Sequence, residues 1–437
     1  MKQITEPSRK IPVAAETDVL ILGAGPAGFS AAICAARIGV KTMLLERGGD
    51  VGGMATTGLM SHWIGNTKGG FYEEIISRSK DISDDPAEEK KYDGIGRNII
   101  NPEKLKTVML EMLTEAHVQL RLYTWVCEPI MEENSIVGVI VESKSGREAV
   151  LAKIVVDATG DGDIAAKAGV PFTLGREIDG KMQPASILFR VAGVDYQKAI
   201  FPGDFEDDIP VAAGGIQSLA KQYLPFPMGH VLLVKTTLPG VVTCNMTNCI
   251  DIDGTSVDDL TEATVICRKQ MDLVIDFLRR FAPGYEHCYL MSSASSVGIR
   301  ETRHFYGRST LHEQDILSAK IFSDWVVTKA HFNFDVHNMD GGGLDRTGIT
   351  EKFPQQKGYT IPYGCLLPKN VENLLLAGRD ISGRHLAHSN YRVMPICANI
   401  GQAAGVAAAL SVKQNVLPSR LNVQQLQAEL MKQGVKL

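Results

Sequence analysis

His385, His388 and Arg392 fall in one short stretch, HLAHSNYR, which gathers two proton carriers and a cation. An imidazole there can take a proton from a hydroxyl or an amine while hydride leaves the adjacent carbon. Arg392 can anchor an anionic substrate or stabilise negative charge on a reduced cofactor. Each histidine reads equally well as a hydrogen-bonded structural residue. The HxxH spacing alone does not make a metal site, because no HExxH motif occurs and no third ligand is identifiable, so no metal is expected. A second charged group, Arg300, Glu301, Thr302, Arg303 and His304, follows the small residues 292–296 and Gly298. Arg300 or Arg303 can meet a phosphate or a carboxylate, or belong to a surface ion-pair network. Cys244 and Cys249 have C-x4-C spacing. They lie in a strand-like run that would point them to opposite faces, so they are expected to be structural.

These groups need an element that holds a reaction partner beside them, and residues 19–28, VLILGAGPAG, supply one. An apolar run ends at Gly23, Gly25, Pro26, Ala27 and Gly28, and small helix formers follow. The first glycine permits the tight strand-to-helix turn, the second lets backbone approach a pyrophosphate, and the third allows close helix–strand packing. Phosphates then sit at a helix N-terminus, where free N–H groups and the dipole favour negative charge. Glu46 closes the next strand-like run, TMLLER, where an acid can accept hydrogen bonds from an adenosine ribose. Glycines, both strands, helix and distal acid together specify a dinucleotide. No second such unit occurs. Gly341–Gly343 sits in a polar loop with no strand before it.

The 437 residues allow two domains, or one domain with an insertion. A hydrophobic share of 44%, a charged share of 22% and a net charge of −5 describe a soluble globular chain without the basic excess that nucleic acid requires. Residues 81–91 are acidic and read as a solvated loop. Two uncharged windows, 19–36 and 393–412, are long enough to cross a bilayer. Both carry glycines and a proline and read as buried core, so no integral membrane segment is expected. The N-terminus lacks the apolar stretch of a signal peptide. Eight cysteines without a CxxC pair point to a reduced, cytoplasmic protein.

The elements imply an α/β fold. Residues 48–70, rich in Gly and Thr, read as a loop approaching a ligand. Residues 102–116 carry apolar side chains at helical spacing, and 118–160 read as an antiparallel meander with turns at 132–135 and 143–146. A middle region has short strand-like runs, an amphipathic helix over 258–281 and a loop-rich stretch over 332–353. The βα pattern resumes at Leu374 and ends in a small-residue helix over 400–410. The expected organisation is a Rossmann-like nucleotide-binding domain in two parts, 14–170 and 356–437, with a mixed-sheet substrate domain, 171–355, inserted between them.

Three separated motifs, VLILGAGPAG with Glu46, VVDATGDGD at 155–163 and NLLLAGRDISG at 373–383, resemble the FAD-binding oxidoreductases with a glutathione-reductase-like fold. With ASSVGIRETRHFYGR at 294–308 and the 385–410 segment, nearly the whole chain is similar to a large bacterial group of FAD-dependent oxidoreductases. That resemblance implies FAD as cofactor. It places Gly160 at a second backbone approach to FAD and Asp380 at its ribityl or pyrophosphate portion. A helix starting near 399–401 would aim its N-terminus at the flavin pyrimidine ring, where reduced flavin carries negative charge. Arg47, Gly53, Met54, Val126, Ala158, Thr159, Gly378, Arg379, Asn399 and Ile400 complete the implied cofactor contacts. His62 and Trp63 are placed over the isoalloxazine. The implied activity is hydride transfer between a small organic substrate and flavin N5, with an unidentified electron donor or acceptor and an oligomer possible. The alternative is a non-redox or RNA-modifying protein that uses the FAD fold as a scaffold, which the acidic charge balance disfavours.

Overall fold

The computed structural model describes residues 3–80, 97–345 and 357–437. The acidic stretch 81–91 and the end of the 332–353 loop lie outside the described residues. The central sheet begins with β1 (Val13–Leu22), whose last four residues are buried on both faces, as a strand flanked by parallel neighbours must be. A turn at Gly23 feeds α1 (Pro26–Arg37), and β2 (Thr42–Leu45) returns parallel to β1. Gly23 has φ +90°, and a Cβ there would lie 2.6 Å from the Ala158 carbonyl oxygen, so only glycine fits this turn.

Within residues 48–70 the chain forms a short 3₁₀ turn, Gly53–Ala55, and the strand β3 (His62–Ile64), which pairs with β4 (Arg97–Ile99). The expectation of an unstructured loop is corrected to that extent. A helix spans Pro102–Glu115, with Leu105, Val108, Met109, Met112 and Leu113 buried. Then β5 (Gln119–Arg121) pairs with β2. The meander follows as β6 (Thr124–Glu132), β7 (Ser135–Ser143) and β8 (Gly146–Asp157). The sheet order is β5-β2-β1-β8-β7-β6. β8 serves two neighbours on one edge: residues 146–151 pair antiparallel with β7, and 155–157 pair parallel with Leu374–Leu376. The C-terminal part of the chain thus completes the sheet that its N-terminal part begins.

The helix Met394–Gln414 is long and apolar enough to pass for a membrane span, yet it is buried inside the structure against α1. The two helices cross in backbone contact. A Cβ on Gly401 would lie 1.9 Å from the Ala27 oxygen, and one on Gly405 would lie 2.1 Å from the Ala31 oxygen.

A second hydrophobic core draws on residues 185–294 and on Leu59. It is built on a four-stranded antiparallel sheet, which includes Phe189–Ala192 and Val242–Cys244, and on the long helix Val257–Phe281. Residues 305–332, in contrast, pack on the first core, including Trp325, Val326 and Val327.

Candidate active site between the two cores

Backbone builds one wall of the site. Gly28 faces the Gly23 carbonyl, and a Cβ there would lie 1.8 Å from that oxygen. Gly25 differs: it has φ −65°, and a Cβ on it would meet nothing within 4 Å. Glu46 closes the turn from the side. Its Oε2 accepts from the Ala24 N–H at 2.8 Å and its Oε1 from the Gly48 N–H at 2.7 Å. The acid that spacing assigns to a ribose therefore also fixes the turn itself.

The 155–163 motif is held by a residue that sequence reasoning passed over. Asp157 is fully buried and accepts from Thr159 Oγ1 at 2.7 Å and from the backbone N–H groups of Thr159, Ile164 and Ala165. It locks the turn that presents Ala158, Thr159 and Gly160. Its position at the end of β8, just before a Gly-rich turn, was the available signal. Arg379 reaches across to this turn and pairs with Asp161 at 2.8 Å.

These segments line one cavity of about 550 Å³. Gly23, Gly25, Pro26, Ala27, Glu46, Arg47, Gly53, Met54, Ala158, Thr159, Gly160, Gly378 and Arg379 all border it. Arg47, although exposed, lays its guanidinium over the Trp125 ring at 5.5 Å. His62 borders the cavity, whereas Trp63 is buried against Tyr72, because adjacent residues of β3 face opposite ways.

Several expected contacts are corrected. Val126 is half-buried on β6 opposite Val141 and does not border the cavity. The small-residue helix starts at Met394 rather than near 399–401, since Pro395 occupies its first turn, where a missing N–H costs nothing. Val393, Met394 and Cys397 border the cavity, and no side chain caps this helix end. Asn399 and Ile400 consequently lie deep in the helix. Ile400 is core, and the Asn399 amide accepts from the Tyr72 N–H and donates to Thr67 Oγ1 and the Gly69 carbonyl. Asp380 is buried behind Gly378 and Arg379 and does not itself border the cavity, and neither of its carboxyl oxygens has a hydrogen-bond partner among the described residues. Burial, reinforced by Asp157, pushes this carboxyl well above its ordinary range.

His385 and His388 do not border the cavity either. His385 Nδ1 lies 2.6 Å from Glu301 Oε1, and His304 Nε2 lies 2.7 Å from the same oxygen. His304 Nδ1 faces the Gly383 carbonyl at 3.0 Å. A carbonyl only accepts, so Nδ1 carries a hydrogen, and the Nε2–Glu301 contact needs a second hydrogen on one of its partners. Burial alone would raise the Glu301 carboxyl, but the two imidazoles reverse this and hold it well below its usual range. His388 stands edge-on to His304 at 5.0 Å, and its complete burial holds it well below an ordinary imidazole. Glu301, His304 and His385 do offer three ligand atoms within 4.8 Å of one another. Contacts of 2.6 and 2.7 Å are hydrogen bonds, whereas ligands of one tetrahedral zinc stand about 3.3 Å apart at ordinary bond lengths.

Another part of the cavity lining is made of side chains. Arg300, Asp335, His337 and Arg392 border it together with Phe205, Leu188, Leu232 and Val234. Arg392 Nη2 donates to the Asp335 carbonyl at 2.8 Å and to Asp335 Oδ2 at 3.1 Å. His337 Nε2 lies 3.5 Å from that Oδ2. Burial would raise Asp335, but His337 and the two arginines hold it far below a normal carboxylate. Burial also pulls His337 down to about 4. Asp335 and His337 carry no sequence signal beyond their place in a loop-rich stretch. Arg303 is turned away and pairs with Asp163 at 3.0 Å. Cys244 and Cys249 are free, buried thiols. Burial pushes Cys249 up to about 12 and Cys244 well above its ordinary range, so neither offers a ready thiolate.

The profile of the FAD dependent oxidoreductase family matches residues 18–430. The chain belongs to that family. It is 30% identical over 208 residues to a thiamine thiazole synthase of Sulfolobus acidocaldarius, covering 43% of this chain and 72% of that protein. It is 28% identical over 152 residues to digeranylgeranylglycerophospholipid reductase 1 of Methanopyrus kandleri, covering 33% of this chain and 40% of the reductase. The chain thus spans less than half the length of that reductase. In fold it is similar to a geranylgeranyl bacteriochlorophyll reductase-like protein of Thermoplasma acidophilum, with a TM-score of 0.50 and 15% identity over 96% of this chain and 84% of that one. Family membership implies FAD, and the residues present fit it. The open space over Gly25 leaves room for a ligand against the turn, and the unpartnered Asp380 carboxylate suits a cofactor hydroxyl.

Proposed function

We propose that the chain is an FAD-dependent oxidoreductase that exchanges a hydride between a small organic substrate and flavin N5. One observation carries this reading: a single cavity is bordered both by the Gly23–Gly28 turn, Glu46 and Gly160 and by Arg300, Asp335, His337 and Arg392. On this reading Gly25, Glu46, Thr159, Gly160, Arg379 and Asp380 hold FAD, and the uncapped start of the Met394–Gln414 helix turns its free N–H groups toward the flavin. Bound FAD supplies the hydride acceptor or donor. The protein's own part is to hold the substrate and move its proton.

With His385 and His388 set behind the wall, His337 takes the role of proton acceptor. Its low pKa keeps the ring neutral above about 4, and Asp335 is placed to orient it and to stabilise the charge it gains. The hydrogen-bonded group of Glu301, His304 and His385 acts as a positioning element, tying the 300–304 segment to the helix His385–Tyr391 and so fixing Arg300 and Arg392 on either side. An isoprenoid lipid, the substrate class in the names of two relatives, suits this charged end poorly. The test is anaerobic mixing of the yellow holoprotein with a panel of hydroxy acids, amines, sugars and unsaturated acids, in oxidised and pre-reduced forms. Bleaching or reoxidation by one class supports the reading. A protein that purifies without FAD and takes up none when FAD is supplied would overturn it.

A further inference from the structure

Four arginines at or near the cavity have an acid of their own. Arg392 has Asp335, Arg379 has Asp161, Arg303 has Asp163, and Arg176 has Asp179 and Asp345. Arg300 has none among the described residues. Its Nη1 donates to the Pro184 carbonyl at 2.5 Å, one acceptor for a group with five N–H donors. Removal from water pushes this guanidinium down to about 10, and the neighbouring Arg392 pushes in the same direction. Arg300 is half-buried, and a cation held there without a counter-charge carries a cost to the fold. Arg392 and Asp335 act on it in opposite directions, and together with Arg300 these three groups carry one net positive charge. Apolar Leu188, Leu232, Val234 and Phe205 border the same space.

We infer that Arg300 is the specificity-determining residue of the substrate end and that it recognises a monocarboxylate with a compact apolar body. This rests on the proposed function for the cavity and names the class of molecule it takes. A guanidinium presents two parallel donors to a planar carboxylate. One net positive charge matches a monoanion better than a phosphate dianion. Asp335 and Arg392 then serve a different purpose, which is to hold His337 beside the carbon skeleton.

The test is calorimetry on the oxidised holoprotein with benzoate, crotonate and cinnamate, each against its own amide, and with inorganic phosphate as a further probe. At least one carboxylate should bind, with its amide weaker by roughly 30-fold or more, and phosphate weaker still. Arg300→Gln should cost that carboxylate a similar roughly 30-fold or more while leaving amide affinity, FAD content and flavin redox potential unchanged. Arg300→Lys, which keeps the charge but loses the fork, should fall between the two and serves if the Gln variant does not fold. Equal binding of acid and amide, binding of phosphate as tightly as any carboxylate, or an Arg300→Gln protein with unchanged carboxylate affinity would overturn the inference while leaving the FAD reading intact. Loss of FAD or a shifted potential in Arg300→Gln, with carboxylate binding retained, would place the residue on the cofactor instead. Should the wild-type protein hold no FAD, the same titrations on the apoprotein still decide the carboxylate question.

Discussion

The two ends of the cavity are made in different ways. The end assigned to the cofactor is backbone: a glycine turn, a second glycine turn locked by Asp157, and a helix start, each within a contiguous motif. The end assigned to the substrate is side chain. Arg300, Asp335, His337 and Arg392 come from separate loops and helix ends, and only the fold brings them together. A dinucleotide has a fixed shape that main chain can follow, so its site is written as local patterns of small residues. A small substrate is recognised by a few charged groups, and no spacing rule ties Arg300 to His337.

The first way to break this contrast is to treat two glycines of one motif alike. Gly28 is a packing glycine, and Gly28→Val would drive a side chain into the Gly23 carbonyl. The cost should be about 3 kcal/mol or more, read as loss of soluble protein. Recovery of a folded, normally melting variant would mean that α1 and β1 are not in backbone contact.

The substrate end gives the next largest effect. His337→Gln should bind FAD normally but reduce or reoxidise it slower by on the order of 10²–10⁴-fold, measured by anaerobic stopped flow. The wild-type rate should follow the lowered imidazole. Above about 4 the ring is neutral and accepts a proton, so through this group the rate is level at neutral pH. It falls as pH drops toward 4. A rate that climbs through the ordinary imidazole range near 6.5 would point to another base.

A smaller effect sharpens the cofactor end. Glu46→Ala removes the acceptor of the Ala24 and Gly48 N–H groups and the proposed ribose contact. FAD affinity should fall about 10- to 100-fold, by fluorescence titration, with the fold retained. The smallest effect is expected at Cys244→Ala/Cys249→Ala. Turnover should be unchanged, with about 1 kcal/mol of stability lost from the second core. A selective failure of flavin reoxidation would instead reveal a redox pair.

The same contrast decides what could be read from the chain. The turn of residues 23–28, the acid at Glu46, the meander turns and the helix from Pro102 were legible because each is a local pattern with a local cause. Spacing places the start of the Met394–Gln414 helix too late because Pro395, a breaker inside a helix, is favoured in its first turn. His385 and His388 drew attention by composition, but their burial depends on contacts with Glu301 and His304 more than 80 residues away. Cys244 and Cys249 are free, buried thiols, a property that spacing alone does not show. The strand ends at Cys244, so alternation along it does not reach Cys249, and burial raises both thiols above their ordinary range.

Gly25→Val tests the central claim most directly, that the cavity over the glycine turn is where FAD lies. Its backbone already suits any residue and a Cβ meets no protein atom within 4 Å, so the chain itself should accept the change. Flavin content per protein, measured beside the melting temperature of wild-type apoprotein, separates folding from cofactor loss. The account predicts a folded, colourless protein that melts with the apo form and does not take up added FAD. A Gly25→Val protein that purifies yellow, with one FAD per chain, would contradict it.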